Sequence, residues 1–442
     1  MPRQIALFMC ILFVLCLFVR DRKLRPMTSG ALWVVLLWIV FVVSRPLSLW
    51  FGVGTEVGNS EAYLEGNPLN RGVFLVLIVG ALLVLFRRRV DWRAIYASNA
   101  WFFAFILYCG ISVIWSDYPF VGFKRWMKEL GNVSMIFIMM TEIDPVQATK
   151  AVFARFVYFV IPLSVVFIKY FPEFGTYYNP WTWERVNCGV TTNKNELGAA
   201  LFVCSLYLVW DFMEMRSIGS KTDKWDFLSR FVLVLMLLWL ISVTQSSTSL
   251  VCIIVGISIL LFMRRPFARR QVKYLGTYGF MVGSLMLLIY SVPAIQELLV
   301  GIVGRDSTLT GRTDLWADLL REPINPLLGA GYNSFWLGTR AEELWEKYSF
   351  HPIQAHNGYL EMYLNGGLIG VFLLMSTIIS TGRKLKKGLM LGSSYGALLF
   401  SFFVCAVLYN WTEAMFSCLS IVWIILLIAI VNYPSQLRSM PE

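Results

Sequence analysis

About thirteen stretches of this chain are apolar for long enough to cross a bilayer, near 4–20, 31–52, 71–86, 95–115, 120–141, 151–171, 197–212, 230–247, 249–263, 275–293, 367–382, 391–409 and 414–432. A spanning helix needs about 20 mostly apolar residues. Such runs predict an all-α fold: a polytopic transmembrane helix bundle of 12–13 spans, with one large helical external loop late in the chain. Composition agrees. Of 442 residues, 57% are apolar and only 15% charged, with a mean hydropathy of +0.65. Soluble globular chains and disordered ones are both excluded by those values.

The formal net charge of +11 would suggest a nucleic-acid partner in a soluble chain. Here the positions of the charges decide. Arg20, Arg22, Lys23 and Arg25 follow the first run, and Arg87, Arg88, Arg89 and Arg93 the third. Arg216, Lys221 and Lys224 follow the seventh, Arg264, Arg265, Arg269, Arg270 and Lys273 the ninth, and Arg383, Lys384, Lys386 and Lys387 the eleventh. All five clusters follow odd-numbered runs, so the positive-inside rule makes them cytoplasmic. That predicts an external N-terminus and an internal C-terminus. It explains most of the charge by the lipid bilayer, with no nucleic acid.

The external loops are then 53–70, with Glu56, Glu61 and Glu65, then 172–196, and the long 294–366. Three regions result: a transmembrane bundle over 1–293, a large external loop over 294–366, and C-terminal transmembrane helices over 367–442. A loop of about 73 residues is far above the usual connection length and is typically functional. Short helices are predicted at 313–322, with Leu315, Trp316, Leu319 and Leu320 on one face, at 340–348, and at 357–364 before Gly366–Gly367. The first run lacks a small-residue cleavage site and reads as a retained span.

Basic residues on the external side need another explanation. Lys124, Arg125 and Lys128 open the fifth run, and Arg45 lies in the outer half of the second, beside Pro46. Lys169 closes the sixth, Lys194 precedes the seventh, and Arg305 and Arg312 sit in the large loop. Cations at membrane depth are costly and line cavities or pair with ligands. A lipid diphosphate fits them, because guanidinium forks bind its oxygens bidentately. Snorkelling to ordinary phospholipid phosphates is the competing explanation, strongest for the lysines.

Proton chemistry has few candidates. His351 and His356 are the chain's two histidines, both in the large loop. His356 precedes Asn357, a good N-cap, so it lies at the positive end of a short helix, where a neutral imidazole is favoured. A structural hydrogen-bonding role is the alternative for His356, and the expected one for His351. A zinc pair lacks a third ligand at any recognisable spacing. Seven of eight cysteines lie in apolar runs and Cys188 stands alone in a loop, so no disulfide framework is expected. No DxD, Walker or GxSxG motif occurs.

Several motifs coincide in the same region. His356–Asn357 is followed after nine residues by Gly367 and Gly370. Upstream stand Gly311–Arg312 with Trp316 (GRTDLW) and PLLGAGYNSF at 326–335. Together they resemble the signature of the O-antigen ligase family, which includes O-antigen and exopolysaccharide polymerases. SDYPFVGFKRWMKELGN at 116–132 and GVTTNKNELG at 189–198 are similar to the exopolysaccharide-polymerase type. The likeness spans roughly 110–375.

The resemblance implies a multi-pass protein of the bacterial inner membrane with its active site facing the periplasm. It implies transfer of a glycan from undecaprenyl diphosphate to a hydroxyl of an acceptor glycan, either lipid A–core or a growing polymer. No metal, nucleotide sugar or other cofactor is implied, and a chain-length regulator is a possible partner. His356 and Arg312 match the family's functional residues. Arg125, Arg45 and Lys194 are further diphosphate candidates, and Asn357, Gly311 and Trp316 supporting residues. Configuration at the anomeric carbon would invert. One departure stands out: Ser247 occupies a position, in TQSSTSL, where the family often carries Arg or Lys. Ligase and polymerase both stay open. The alternative function is a transporter or lipid-linked-glycan flippase, with Arg45 and Arg155 as intramembrane charges, but no internal repeat accompanies it.

Overall fold

The computed structural model describes residues 2–52, 66–88, 90–178, 183–218, 223–291, 312–348 and 350–431. Glu56, Glu61, Glu65, Arg89, Lys221, Arg305 and Gly311 lie outside those residues. The principal helices are α1 (Arg3–Leu24), α2 (Leu32–Val43), α3 (Pro68–Arg87), α4 (Ala100–Ile111), α5 (Pro119–Met140), α6 (Pro145–Tyr170), α7 (Lys194–Ile218) and α8 (Lys224–Thr244). They continue with α9 (Ser247–Met263), α10 (Leu275–Ser291), α11 (Arg312–Leu319), α12 (Thr339–Lys347), α13 (Gly358–Met390), α14 (Ser394–Tyr409) and α15 (Ile421–Ile430). A small antiparallel hairpin, β1 (Thr176–Tyr178) with β2 (Arg185–Asn187), is the sheet among the described residues.

The fold is an all-α polytopic bundle. Among the described residues six helices, α1, α3, α6, α7, α8 and α13, are long and apolar enough to cross a membrane, and two bent pairs raise this to eight. Those pairs turn by 94° around Asn99 and by 98° between α9 and the helix that follows it. Counting apolar runs gives more spans because three of them form helices of only 10–17 residues, α2, α14 and α15, and because the ninth and tenth runs join in one bent pair. It also counts α5, whose first half carries Lys124, Arg125, Lys128 and Glu129.

The second run is also interrupted. α2 ends at Val43, Ser44 is extended, and Arg45 lies in the turn before Pro46, not inside a helix. Proline disfavours a helical residue before it, which places the break.

At the centre stands α15. All ten of its residues are buried, Trp423 among them at 0% exposure. Such an apolar helix has no outward face to give to lipid, so the others wrap it. Two asparagines share that interior: Asn132 and Asn410 are both 0% exposed. Asn132 accepts from Trp38 Nε1 at 2.8 Å and donates to Glu129.

Described residues of the first, second, fourth and fifth basic clusters gather on one face of the bundle, tied by carboxylates and helix-end carbonyls. Arg20 bonds Asp223 and Asp226, Arg88 bonds Glu142 and Ser29, and Arg264 donates to the Met213 carbonyl. Lys386 reaches the Lys273 carbonyl, while Lys384 reaches Asn99 and the carbonyl of Ile430. Arg155, an intramembrane charge by sequence, donates to Asp21 at 2.8 Å with both side chains nearly unexposed, and its guanidinium covers Trp33. It is the partner of a structural ion pair.

Candidate functional site

The eleven residues between α14 and α15 are irregular, and they hold Glu413, the one charged residue between Lys387 and Arg438. Irregular backbone in a membrane protein is tolerated where protein encloses it. Here Asn410, Glu413 and Ser417 are all buried. Asn410 accepts from Gly358 N–H with its carbonyl and from Met415 N–H with its side chain, at 2.8 Å each. At the other end Ser417 meets the Tyr332 hydroxyl at 3.0 Å, and Ser420 caps α15 through Trp423 N–H.

Four helices begin against this loop. Thr248, in the first turn of α9, bonds Thr412 hydroxyl to hydroxyl at 3.0 Å. Asn195, in the first turn of α7, donates to Glu413 at 3.0 Å. Arg312 opens α11 and donates from Nη1 to the Thr412 carbonyl at 2.8 Å. Asn357 caps α13, accepting from Tyr359 and Leu360 N–H. α7 is fixed by a reciprocal cap: Asn193 accepts from the N–H of Asn195 and Glu196, and Glu196 accepts from Thr192. The close approach of α7 and α9 depends on Gly198, where a Cβ would meet Ser249 Oγ at 2.5 Å. Converging N-termini add positive potential and N–H donors, a setting that suits an anion.

Glu413 is the hub. Its side chain is only 5% exposed. Oε2 lies 3.1 Å from His356 Nδ1, and Oε1 takes Asn195 and sits 3.7 Å from Arg312 Nη2. The two residues singled out by sequence are thus joined through a carboxylate that sequence reasoning passed over. Its signal was available, as a lone carboxylate in a long apolar stretch. A carboxylate at Nδ1 holds the proton there and leaves Nε2 with its lone pair free. His356 and Arg312 are each 27% exposed by side chain, against 5% for Glu413.

The other candidates fall into two groups. Arg45 donates its backbone N–H to Val190, contacts the Cys188 thiol and lies 6.0 Å from the Trp50 ring. Its Nε is buried without a hydrogen bond among the described residues. Tyr177 of the hairpin bonds the Lys194 backbone, so Arg45 and Lys194 border one patch. The Lys194 ammonium makes no ion pair among the described residues. Arg125 stands apart: its guanidinium donates to the Asn333 carbonyl, and Asn333 donates to the Ser417 carbonyl at 3.3 Å. Arg125 thus helps brace the site loop. Lys124, Lys128 and Lys169 each cover an aromatic ring, Phe120, Phe74 and Trp239.

Two glycine motifs turn out to be one joint. Gly367 breaks α13 with φ 59° and ψ −164°. The N–H groups of Leu368 and Ile369 then pair with the carbonyls of Pro326 and Leu327. Gly329, at φ +70°, lets the 326–335 segment lie directly on the Asn365–Gly367 backbone. The cap is clamped there. Leu315 and Leu319 of α11 are fully buried in it, Leu320 faces out, and Trp316 donates to the Ala355 carbonyl at 2.7 Å. His351 stacks on Trp345 at 5.3 Å, a packing role. Elsewhere in the cap, hydrogen bonds from Lys347 and Tyr348 hold the Asp318 carboxyl below its usual range. Partial burial and that carboxylate push the Tyr348 hydroxyl up to about 12.

Residues 231–375 match the family model described as O-antigen ligase. Over 306 residues the chain is 30% identical to the exopolysaccharide production protein ExoQ of Rhizobium meliloti (strain 1021), covering 66% of this chain and 67% of that one. The chain belongs to the O-antigen ligase/polymerase family. It is a multi-pass membrane protein of a glycan-processing family. The matched part of this O-antigen ligase-type chain runs from α8 into α13 and holds Arg312 and His356. Glu413 and Asn195 lie outside that match and reach the same site through the fold.

Proposed function

We propose that this protein is a glycosyltransferase acting at the periplasmic face of the bacterial inner membrane. It moves a glycan from undecaprenyl diphosphate onto a hydroxyl of an acceptor glycan. The observation that carries this reading is the Glu413 bridge between His356 and Arg312. His356 Nε2 takes the proton of the acceptor hydroxyl as its oxygen attacks the anomeric carbon. The bond from that carbon to the diphosphate oxygen breaks, and configuration inverts. Arg312 and Lys194, with Arg45 beside them, stabilise charge growing on the leaving diphosphate.

Depth supports the reading. α9 rises about 25 Å over its 17 residues from Met263, beside the basic face, to Ser247 at the site. Hydrocarbon is about 30 Å thick, so the site lies near the level of a lipid headgroup on the opposite side. The basic face is then cytoplasmic. The relative, an exopolysaccharide production protein by name, favours a polymer as the acceptor.

The test is the polysaccharide made by cells whose gene copy carries His356→Ala or Arg312→Ala, with membrane levels of the protein matched. Loss of a general base typically costs 10²–10⁴-fold, so product is expected to fall at least about 100-fold. Near-normal product from either variant would falsify the assignment of that residue.

Lys194 answers for the missing cation at Ser247, because the two residues open adjacent helices. Lys194→Ala is expected to lower the transfer rate roughly 10-fold, as expected for one lost charge-assisted contact of about 1.5 kcal/mol. Adding Ser247→Lys to that variant should recover part of the loss. A double variant no better than Lys194→Ala, assayed in membranes, argues against interchangeable charge at the two helix starts.

A further inference from the structure

We propose that Glu361 is a positioning residue for the His356 imidazole and so governs which acceptor hydroxyl that base can reach. The proposal rests on His356 acting as the base. Glu361 lies in the first turn of α13, and three N–H donors converge on its two oxygens. Oε2 accepts from the backbone of Ala355 at 2.8 Å. Oε1 accepts from Trp336 Nε1 at 2.8 Å and Asn365 Nδ2 at 2.9 Å.

Ala355 directly precedes the histidine, is 0% exposed, and is held from the other side by Trp316. His356 itself sits at φ 50°, in the left-handed region that a side-chain-bearing residue seldom occupies. Such a backbone persists where its surroundings over-determine it. Glu361 holds the Gln354–Ala355 peptide, Trp316 holds the Ala355–His356 peptide, and the Asn357 cap holds the start of α13 that follows. With the backbone anchored on both sides, the Cα–Cβ direction of His356 is set, and Glu413 then selects the rotation of the ring.

Glutamine has nearly the shape of glutamate but cannot replace it here. An amide offers one acceptor oxygen, and its NH2 would face either Ala355 N–H or the Trp336 and Asn365 donors. Two donors outweigh one, so the amide oxygen stays with Trp336 and Asn365, and Glu361→Gln unclamps Ala355. Trp336→Phe removes only the indole N–H and leaves Ala355 bound, so it separates the His356 clamp from general packing of the cap.

The experiment uses the full-length protein. Each variant is purified, its melting temperature and the shift caused by undecaprenyl diphosphate are measured, and its initial transfer rate is read in membranes from a strain lacking the gene. Glu361→Gln is expected to cut the rate at least 10-fold, with melting and the undecaprenyl diphosphate shift unchanged. Trp336→Phe should stay within threefold of wild type. A Glu361→Gln rate within threefold of wild type overturns the proposal. So does a rate loss that comes with lower melting or lost diphosphate binding, or an equal loss in Trp336→Phe. Should Glu361→Gln yield no folded protein, Glu361→Asp, one methylene short of Ala355, is judged by the same thresholds. Full product from His356→Ala would instead overturn the functional reading, and it is scored separately from the Glu361 variants.

Discussion

Replacing Glu413 by Gln is expected to reduce glycan transfer by about 100-fold or more while leaving the protein folded in the membrane. The mechanism is a change of tautomer. As a carboxylate, Glu413 accepts at Oε2 from His356 Nδ1 and at Oε1 from Asn195. A glutamine keeps its oxygen toward the Asn195 and Arg312 donors, because only an acceptor suits them. Its NH2 then faces Nδ1 and donates to it, so the ring proton moves to Nε2 and the base is lost. In the best-studied serine hydrolase triad the equivalent change costs about 10⁴-fold by this route. Glu413→Ala should be comparably inactive but also less stable, because Arg312 loses a carboxylate in a nearly closed setting. The measurement is initial rate in membranes, with protein level and detergent melting temperature recorded beside it. A Glu413→Gln enzyme working within about fivefold of wild type would remove Glu413 from the mechanism.

That residue also marks the limit of what could be read from the chain alone. Apolar runs and basic clusters depend on local composition, and the structure returns both: a helical bundle whose Arg20, Arg88, Arg264 and Lys386 share one face. The Asn357 cap was legible for the same reason, since a cap is a contact of two or three residues' reach. Glu413 meets His356 across 57 positions and Asn195 across 218, and no periodicity reports such a contact. Arg45 shows a subtler error. Hydropathy runs through it, yet Pro46 ends the helix just before it, so its place at a helix end follows from backbone geometry that hydropathy omits.

Arg125 shows the reverse case, a cation selected for its charge that the fold uses to grip a backbone carbonyl at Asn333. The glycine-rich segments at 326–335 and 366–370 suggested chemistry by their likeness to a family signature. In the structure they are a mechanical joint, two backbones that touch because neither carries a Cβ at the crossing. Chemistry and architecture lie interleaved in the same motif, and only the three-dimensional contact separates them.

The joint makes the second large prediction. Gly367→Ala is expected to release the cap and lower transfer at least about 10-fold, together with a clear fall in melting temperature. Two costs combine. At φ 59° and ψ −164°, Gly367 occupies a region essentially closed to other residues, worth about 1–3 kcal/mol of strain. An added Cβ would also lie 2.3 Å from the carbonyl carbon and oxygen of Leu327, and backbone cannot swing aside as a long side chain can. Relief requires the 326–335 segment to lift away, breaking the bonds from Leu368 and Ile369 to Pro326 and Leu327. The same segment carries Asn333, through which Arg125 and Ser417 brace the site loop, so the disturbance reaches Glu413. Gly388, farther along α13, gives the contrast: nothing lies within 4 Å of a Cβ there, and alanine in a helix interior is favoured over glycine by about 1 kcal/mol. Gly388→Ala should therefore melt at or slightly above the wild-type temperature with full activity. Limited proteolysis of the two purified variants separates the cases, with faster cleavage within 312–357 expected for Gly367→Ala alone. Equal protection and equal melting in both would show that the 326–335 segment does not depend on the break at Gly367.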